Sequence, residues 1–268
     1  MTTAREAAAP AVRSLFDLTG RAAVITGGRG DLAAAMAGAL AELGCSVVLA
    51  ARTLAACEEL AHELETAHGI DAIPVAADIS REEDVERVVR TAVDELGRLD
   101  VLVNNAATFW AAPPEDVPTE RGWQRVIDVN LTGTFLACRN AGRRMLEAGS
   151  GSIVNVASTG ALMSFMPEVG STLSYTTSKG AIVSLTRDLA AQWSARGVRV
   201  NAIAPGSMAG GMTHTIPAQQ QAIMVEKIPM GRQGRPDELR GAIAYLASDA
   251  SSYVTGSVLV VDGGQTIV

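Results

Sequence analysis

Seven short runs of apolar and β-branched residues recur along the chain, at 22–26, 46–50, 72–76, 101–104, 152–156, 198–203 and 257–261. The stretches between them repeat their apolar positions every three to four residues, the period of an amphipathic helix. Such stretches cover 32–43, 54–67, 83–96, 123–147 and 176–194. Strands alternating with helices in this way predict a parallel sheet covered on both faces. Right-handed crossovers then wind it into a doubly wound α/β fold, mostly a seven-stranded parallel sheet, whose ligands sit at the carboxyl ends of the strands. No internal repeat or low-complexity linker divides the pattern, so residues 17–268 read as one domain.

Composition supports this picture. The chain has 268 residues, 48% of them hydrophobic, with 26 glycines and only 4% aromatics. Small apolar residues suit strands buried on both faces. A net charge of −7 disfavours nucleic acid and anionic membrane as partners. No run approaches the ~18 uninterrupted apolar residues of a membrane span. Residues 1–16 lack the continuous apolar centre of a signal peptide and read as a flexible arm. Cys45, Cys57 and Cys138 are few, odd in number and widely spaced, and His62, His68 and His214 show no ligand spacing. Neither a disulfide framework nor a metal site is expected, and a cytoplasmic location is.

Chemistry first enters at SYTTSKGA. One of only two lysines, Lys179, stands four residues after Tyr175. On a helix these share a face. An ammonium beside a phenol favours the phenolate and predicts a tyrosine pKa drawn down toward working pH, which makes a general acid/base. The neutral reading is a chance pair on a solvated face. At the other end of the sequence, the first strand runs into TGGRGDLAAAMAGAL, a glycine turn opening a helix. Its amides and helix N-terminus offer a site for a pyrophosphate, with Gly28 and Gly30 read as the conformationally free positions.

These segments together resemble the short-chain dehydrogenase/reductase family in its single-domain, Rossmann-type form, from about Phe16 to Val268. The family turn T-G-x-x-x-G-x-G maps onto Thr26, Gly27, Asp31 and Ala33, so the chain departs from it at Asp31 and Ala33. A carboxylate at 31 repels a diphosphate unless it points away. The resemblance implies a nicotinamide dinucleotide cofactor held by Gly27, Arg29, Asp31 and Leu32 at the turn, and by Asp78 and Ile79 at the adenine. It further implies Asn105 and Ala106 after the fourth strand and Pro205 and Gly206 after the sixth. No acidic residue ends the second strand; Arg52, with Arg29, suits a 2′-phosphate. NADP(H) is therefore expected, with NAD(H) as the alternative. Arg52 as a solvated strand-end charge is the bland reading.

The resemblance also implies the reacting group. Ser158 binds the substrate carbonyl, with Thr159 a competing assignment. Tyr175 exchanges the proton. Lys179 lowers the tyrosine pKa and holds the nicotinamide ribose, and Asn130 supports a water chain to that lysine. Asn130 inside a helical pattern is unfavourable on its own account, which points to function or distortion. Residues 207–230 form a long irregular stretch suited to a lid over a small-molecule substrate. Phe109, Trp110, Phe165 and Met208, with Met163, Met166, Met212, Met224 and Met230, read as a roomy apolar pocket, against lid packing as the alternative. Only Lys227 and His214 in the lid could meet a carboxylate.

Within the family, gluconate 5-dehydrogenase-like and β-ketoacyl-carrier-protein reductase-like members look nearest. The expectation is reversible reduction of a hydrophobic ketone to a secondary alcohol. The rivals are a sugar or polyol dehydrogenase and a nucleotide-binding homologue without turnover. The final helix and strand imply a homotetramer or homodimer.

Overall fold

In the computed structural model, which describes residues 10–164, 171–211, 213 and 216–268, all seven strands lie parallel in one sheet. They are β1 (Ala22–Thr26), β2 (Ser46–Ala51), β3 (Ala72–Ala76), β4 (Val101–Asn104), β5 (Gly151–Val156), β6 (Val198–Pro205) and β7 (Val258–Val261). Their order is β3-β2-β1-β4-β5-β6-β7. The order reverses at β1, which leaves a crevice outside the carboxyl ends of β1 and β4, where ligands of doubly wound sheets bind.

Among the described residues, eight α-helices accompany the strands: α1 (Asp31–Glu42), α2 (Leu54–His68), α3 (Glu82–Leu96), α4 (Arg125–Ile127), α5 (Gly133–Ala148), α6 (Leu173–Trp193), α7 (Ala218–Glu226) and α8 (Arg240–Ala247). Strand side chains alternate between faces. Ile25 thus joins Met36, Leu40 and Ile243 beneath α1 and α8, while Val24 joins Val88, Leu136 and Met145 beneath α3 and α5. Both faces of β1 are dry, and its five residues are all buried. That is why the strand reads as an unbroken apolar run.

Three local features depart from the sequence expectation. The helix expected over 123–147 is helical from Thr119 through Ala148, but it contains π turns at Thr119–Gln124 and Asp128–Thr132. Asn130 lies in the second. Its side chain is drawn off to Thr108, and a Cβ on Gly133 would come within 2.7 Å of Ile79 Cδ1. The stretch read as irregular, 207–230, contains α7, whose AQQQAIMVE has no glycine and follows Pro217. Val12–Phe16, inside the expected arm, forms a 3-10 turn.

Among the described residues, no helix is long and apolar enough to cross a membrane, and no cluster of His, Cys, Asp and Glu could hold a metal. Cys45, Cys57 and Cys138 are buried and free.

Candidate active site

The carboxyl ends of β1 to β6 open onto one cleft of about 690 Å³, within the usual size of a small-molecule site. Its nucleotide side begins at the glycine turn. Gly27 takes φ +70°, and a Cβ there would lie 2.7 Å from Ala106 Cα. Conformational freedom is thus spent at Gly27, not at Gly28 or Gly30. Gly28 is needed for close approach, since a Cβ there would lie 3.1 Å from Leu49 Cβ. Gly30 has an extended backbone open to any residue, with empty space where a Cβ would point. Thr26 Oγ1 accepts from the amides of Asn105 (3.1 Å) and Ala106 (3.2 Å), and Asn105 Nδ2 donates to the Thr26 carbonyl (3.2 Å). The ends of β1 and β4 are therefore fixed to each other.

This side fits a dinucleotide. The amides of Asp31, Leu32 and Ala33 open α1 and find no backbone acceptor among the described residues. Free amides at a helix start are donors for a phosphate. Arg29, Arg52 and Arg125 border the same cleft with Asp78 and Ile79. Burial acts to raise the Asp78 carboxyl. The Ser80 hydroxyl (2.7 Å) and amide (3.0 Å), with Arg52 and Arg125 nearby, overcome it and hold the pKa below the ordinary value. Arg125, one turn before Val129, escaped the sequence reading because nothing in an isolated helical arginine marks it as facing a cleft. Asp31 lines the cleft, and its Oδ2 accepts from the Gly211 amide, in the 207–230 stretch expected to form a lid, at 2.9 Å.

At the reacting side, β5 delivers Ser158 and α6 delivers Tyr175 and Lys179 to the same cleft, beside Pro205, Gly206 and Met208. Ser158 accepts from the Gly160 amide at 3.1 Å and so caps the turn Thr159–Ala161. Thr159 is buried and does not line the cleft, which separates the two candidates. Lys179 is buried, and its Nζ donates to the Val156 carbonyl at 2.6 Å. Burial lowers its pKa to about 8. Its Nζ lies 5.6 Å from the centre of the Tyr175 ring.

The tyrosine pKa differs from expectation. Burial of the phenol, which penalises the phenolate, outweighs a hydrogen bond with Ser158 and raises the Tyr175 pKa above its ordinary value. The i, i+4 spacing placed the amine on the right face, but the amine is committed to Val156.

Asn130 stands behind the cleft. Its Oδ1 accepts from the Thr108 amide (2.8 Å), and its Nδ2 donates to the Thr108 carbonyl (2.9 Å) and to Ser178 Oγ (3.0 Å). Ser178 in turn donates to the Tyr175 carbonyl at 2.7 Å. Asn130 thereby ties the segment after β4 to the turn of α6 that carries the tyrosine. Phe109 and Trp110 do not line the cleft. Trp110 packs on Gly122 with the Arg121 guanidinium 5.9 Å above its ring. Phe165, Met166, Met212 and His214 lie outside the described residues. Of the remaining four methionines, Met208 lines the cleft, Met163 is half-buried and Met224 buried without lining it, and Met230 is exposed. Lys227 is exposed and away from the cleft.

A family model described as "Enoyl-(Acyl carrier protein) reductase" matches residues 29–266. The cis-4-hydroxycyclohexanecarboxylate dehydrogenase of Sinomonas cyclohexanicum is 40% identical over 248 residues, 92% of this chain and 97% of that protein. Among solved structures, a short-chain type dehydrogenase/reductase from Mycobacterium marinum superposes with a TM-score of 0.91 at 38% identity, covering 96% of this chain and 99% of that one. The NADPH-dependent 3-quinuclidinone reductase of Rhodotorula rubra gives a TM-score of 0.91 at 32% identity, over 99% of this chain and 98% of that one.

Proposed function

The chain belongs to the short-chain dehydrogenase/reductase family of oxidoreductases, and on that premise we propose that it is an NADP(H)-preferring enzyme interconverting a hydrophobic ketone and its secondary alcohol. One observation carries the reading: Ser158, Tyr175 and Lys179 share a single cleft with the glycine turn and its free helix amides. A nicotinamide dinucleotide, when bound, supplies or accepts the hydride.

The chain's own residues handle the charge that appears on oxygen. Reduction builds negative charge on the carbonyl oxygen, so a proton donor and a hydrogen-bond donor must converge there. In this reading Ser158 Oγ donates to that oxygen and Tyr175 Oη gives up its proton to it. In the reverse direction Tyr175 accepts the alcohol proton. Lys179 keeps a charge close to the phenol and holds the ribose, and Asn130, through Ser178, positions the tyrosine. Gly27, Arg29, Leu32, Asp78, Ile79, Asn105, Ala106, Pro205 and Gly206 line the dinucleotide's path. Arg52 and Arg29 support the phosphorylated form, and Met208 supports an apolar substrate. The activities in the names of the Sinomonas and Rhodotorula proteins, dehydrogenation of a hydroxy compound and reduction of a ketone, are of this type. The reading extends to assembly as a homodimer or homotetramer.

Titrating NADPH and NADH separately, then following a panel of ketones and secondary alcohols at the nicotinamide absorbance, tests it. Tighter binding of NADPH with turnover of an apolar ketone is expected. No binding of either dinucleotide would remove the proposal.

A further inference from the structure

Asp31 occupies a position where the family's turn carries glycine, and its carboxylate does not turn back onto its own helix. It reaches across the cleft to the lid, where Oδ2 accepts from the Gly211 amide at 2.9 Å. Among the described residues this is the only hydrogen bond between the glycine turn and the lid. The lid is otherwise held from behind: Ala209 N donates to the Gly234 carbonyl (2.7 Å), and Gly234 N donates to that of Ser207 (3.0 Å). Gly210 and Gly211 then carry the chain forward with φ of +92° and +52°. A Cβ on Gly210 would collide with the Asp31 carboxylate, so the carboxylate can reach Gly211 only because position 210 is glycine.

We infer that Asp31 is a latch that holds the lid onto the glycine turn and competes with the dinucleotide's diphosphate for that position. The inference rests on the dinucleotide reading above. Its logic is electrostatic. An anion at the first turn of α1 satisfies the positive end of the helix, and an acceptor facing Gly211 satisfies the lid amide. A diphosphate entering between turn and lid would meet both needs itself and would repel the carboxylate already there. Cofactor entry therefore releases the latch, and the lid exchanges an internal acceptor for an external one. Asp31 is a positioning residue in this scheme.

Two measurements separate the latch from the reading beneath it. In the cofactor-free protein, amide hydrogen exchange at Gly211 should speed up by roughly tenfold in Asp31→Gly, as expected for loss of a charge-assisted hydrogen bond. Asp31→Asn keeps an oxygen acceptor and should change it less. By fluorescence titration, NADPH should bind roughly tenfold tighter to Asp31→Gly, with Asp31→Asn tightened as well because the charge is gone. Unchanged exchange at Gly211 in Asp31→Gly overturns the latch whatever the cofactor does. Faster exchange with NADPH binding unchanged or weaker overturns the competition. If neither NADPH nor NADH binds wild type or variant, the dinucleotide reading fails and the competition with it, while the exchange result still decides the contact.

Discussion

Lys179 holds its amine buried against a single carbonyl, and this dictates its response to pH. The unfolded chain keeps the lysine proton up to the ordinary value of 10.5, whereas the folded protein releases it near 8. Between those values the unfolded state binds more protons, so stability rises with pH. The destabilising effect is complete below about 8 and gone above about 10.5. Urea denaturation of wild type and Lys179→Met across this window should show wild type gaining on the variant by up to about 3 kcal/mol. A gap that does not change with pH would mean the amine is well solvated. The Tyr175 phenol, raised above its ordinary 10.0, stays protonated at neutral pH, the form that the proposed reduction requires of its acid. Tyr175→Phe should lower turnover by roughly 10²- to 10⁴-fold while NADPH binding stays nearly intact; lost binding would contradict a proton-transfer role. Arg52→Asp should shift the binding ratio toward NADH, since a carboxylate accepts from a ribose hydroxyl and repels a phosphate. An unchanged ratio would show that Arg52 does not face the 2′ position.

A buried polar chain joins the elements that carry these residues. Asn104 Nδ2 donates to Asn155 Oδ1 (2.9 Å) between β4 and β5, and Asn155 Nδ2 donates to Thr186 Oγ1 (2.9 Å) on α6. All three are buried. The chain fixes α6, and so Tyr175 and Lys179, against the strands whose ends form the cleft. Thr186→Val keeps the shape but leaves Asn155 Nδ2 without its acceptor, which should cost roughly 1–3 kcal/mol by chemical denaturation. A neutral result would mean that water or another group satisfies the amide. The inner strands were legible in the sequence because burial on both faces makes each an apolar run, the edge strands β3 and β7 because they keep short apolar runs though only partly buried, and the helix carrying Tyr175 and Lys179 from its period. The π turn at Asn130 left only a trace, a polar residue where a helix disfavours it. Helix α7 was hidden because the apolar residues of AQQQAIMVE run consecutively from Ala222 to Val225 and so mark no one face. The spacing placed Lys179 beside Tyr175 but said nothing of Val156, whose carbonyl comes from the end of β5. Burial of the phenol, which decides the direction of the tyrosine shift, was not readable from i, i+4 geometry either.

At the scale of the whole molecule, the sheet ends at β7 on an edge that no strand of the described residues covers. Among the described residues β7 pairs with β6 alone, its four residues are only half-buried or exposed, and beyond it Ile267 and Val268 are exposed. Tyr253 on the same terminal segment is fully exposed. On α5, Phe135 is exposed with the Arg139 guanidinium 5.5 Å from its ring. A bare apolar strand edge invites pairing with another chain, and proteins normally cover or charge it. Here neither lysine nor proline interrupts β7, so coverage by a second copy is the expected solution. Static light scattering on the eluting protein should give the mass of a dimer or tetramer, not 27.8 kDa. Val260→Lys with Ile267→Asp should lower that mass and make the melting temperature of wild type, but not of the variant, rise with concentration. A wild-type monomer, or a double variant that keeps the wild-type mass, would show that this edge is not where copies meet. If the edge does pair, the strand next to β6 is held from outside as well as inside. The Pro205–Gly206 turn that β6 delivers to the cleft would then depend on assembly, so the dissociated variant should also bind NADPH more weakly.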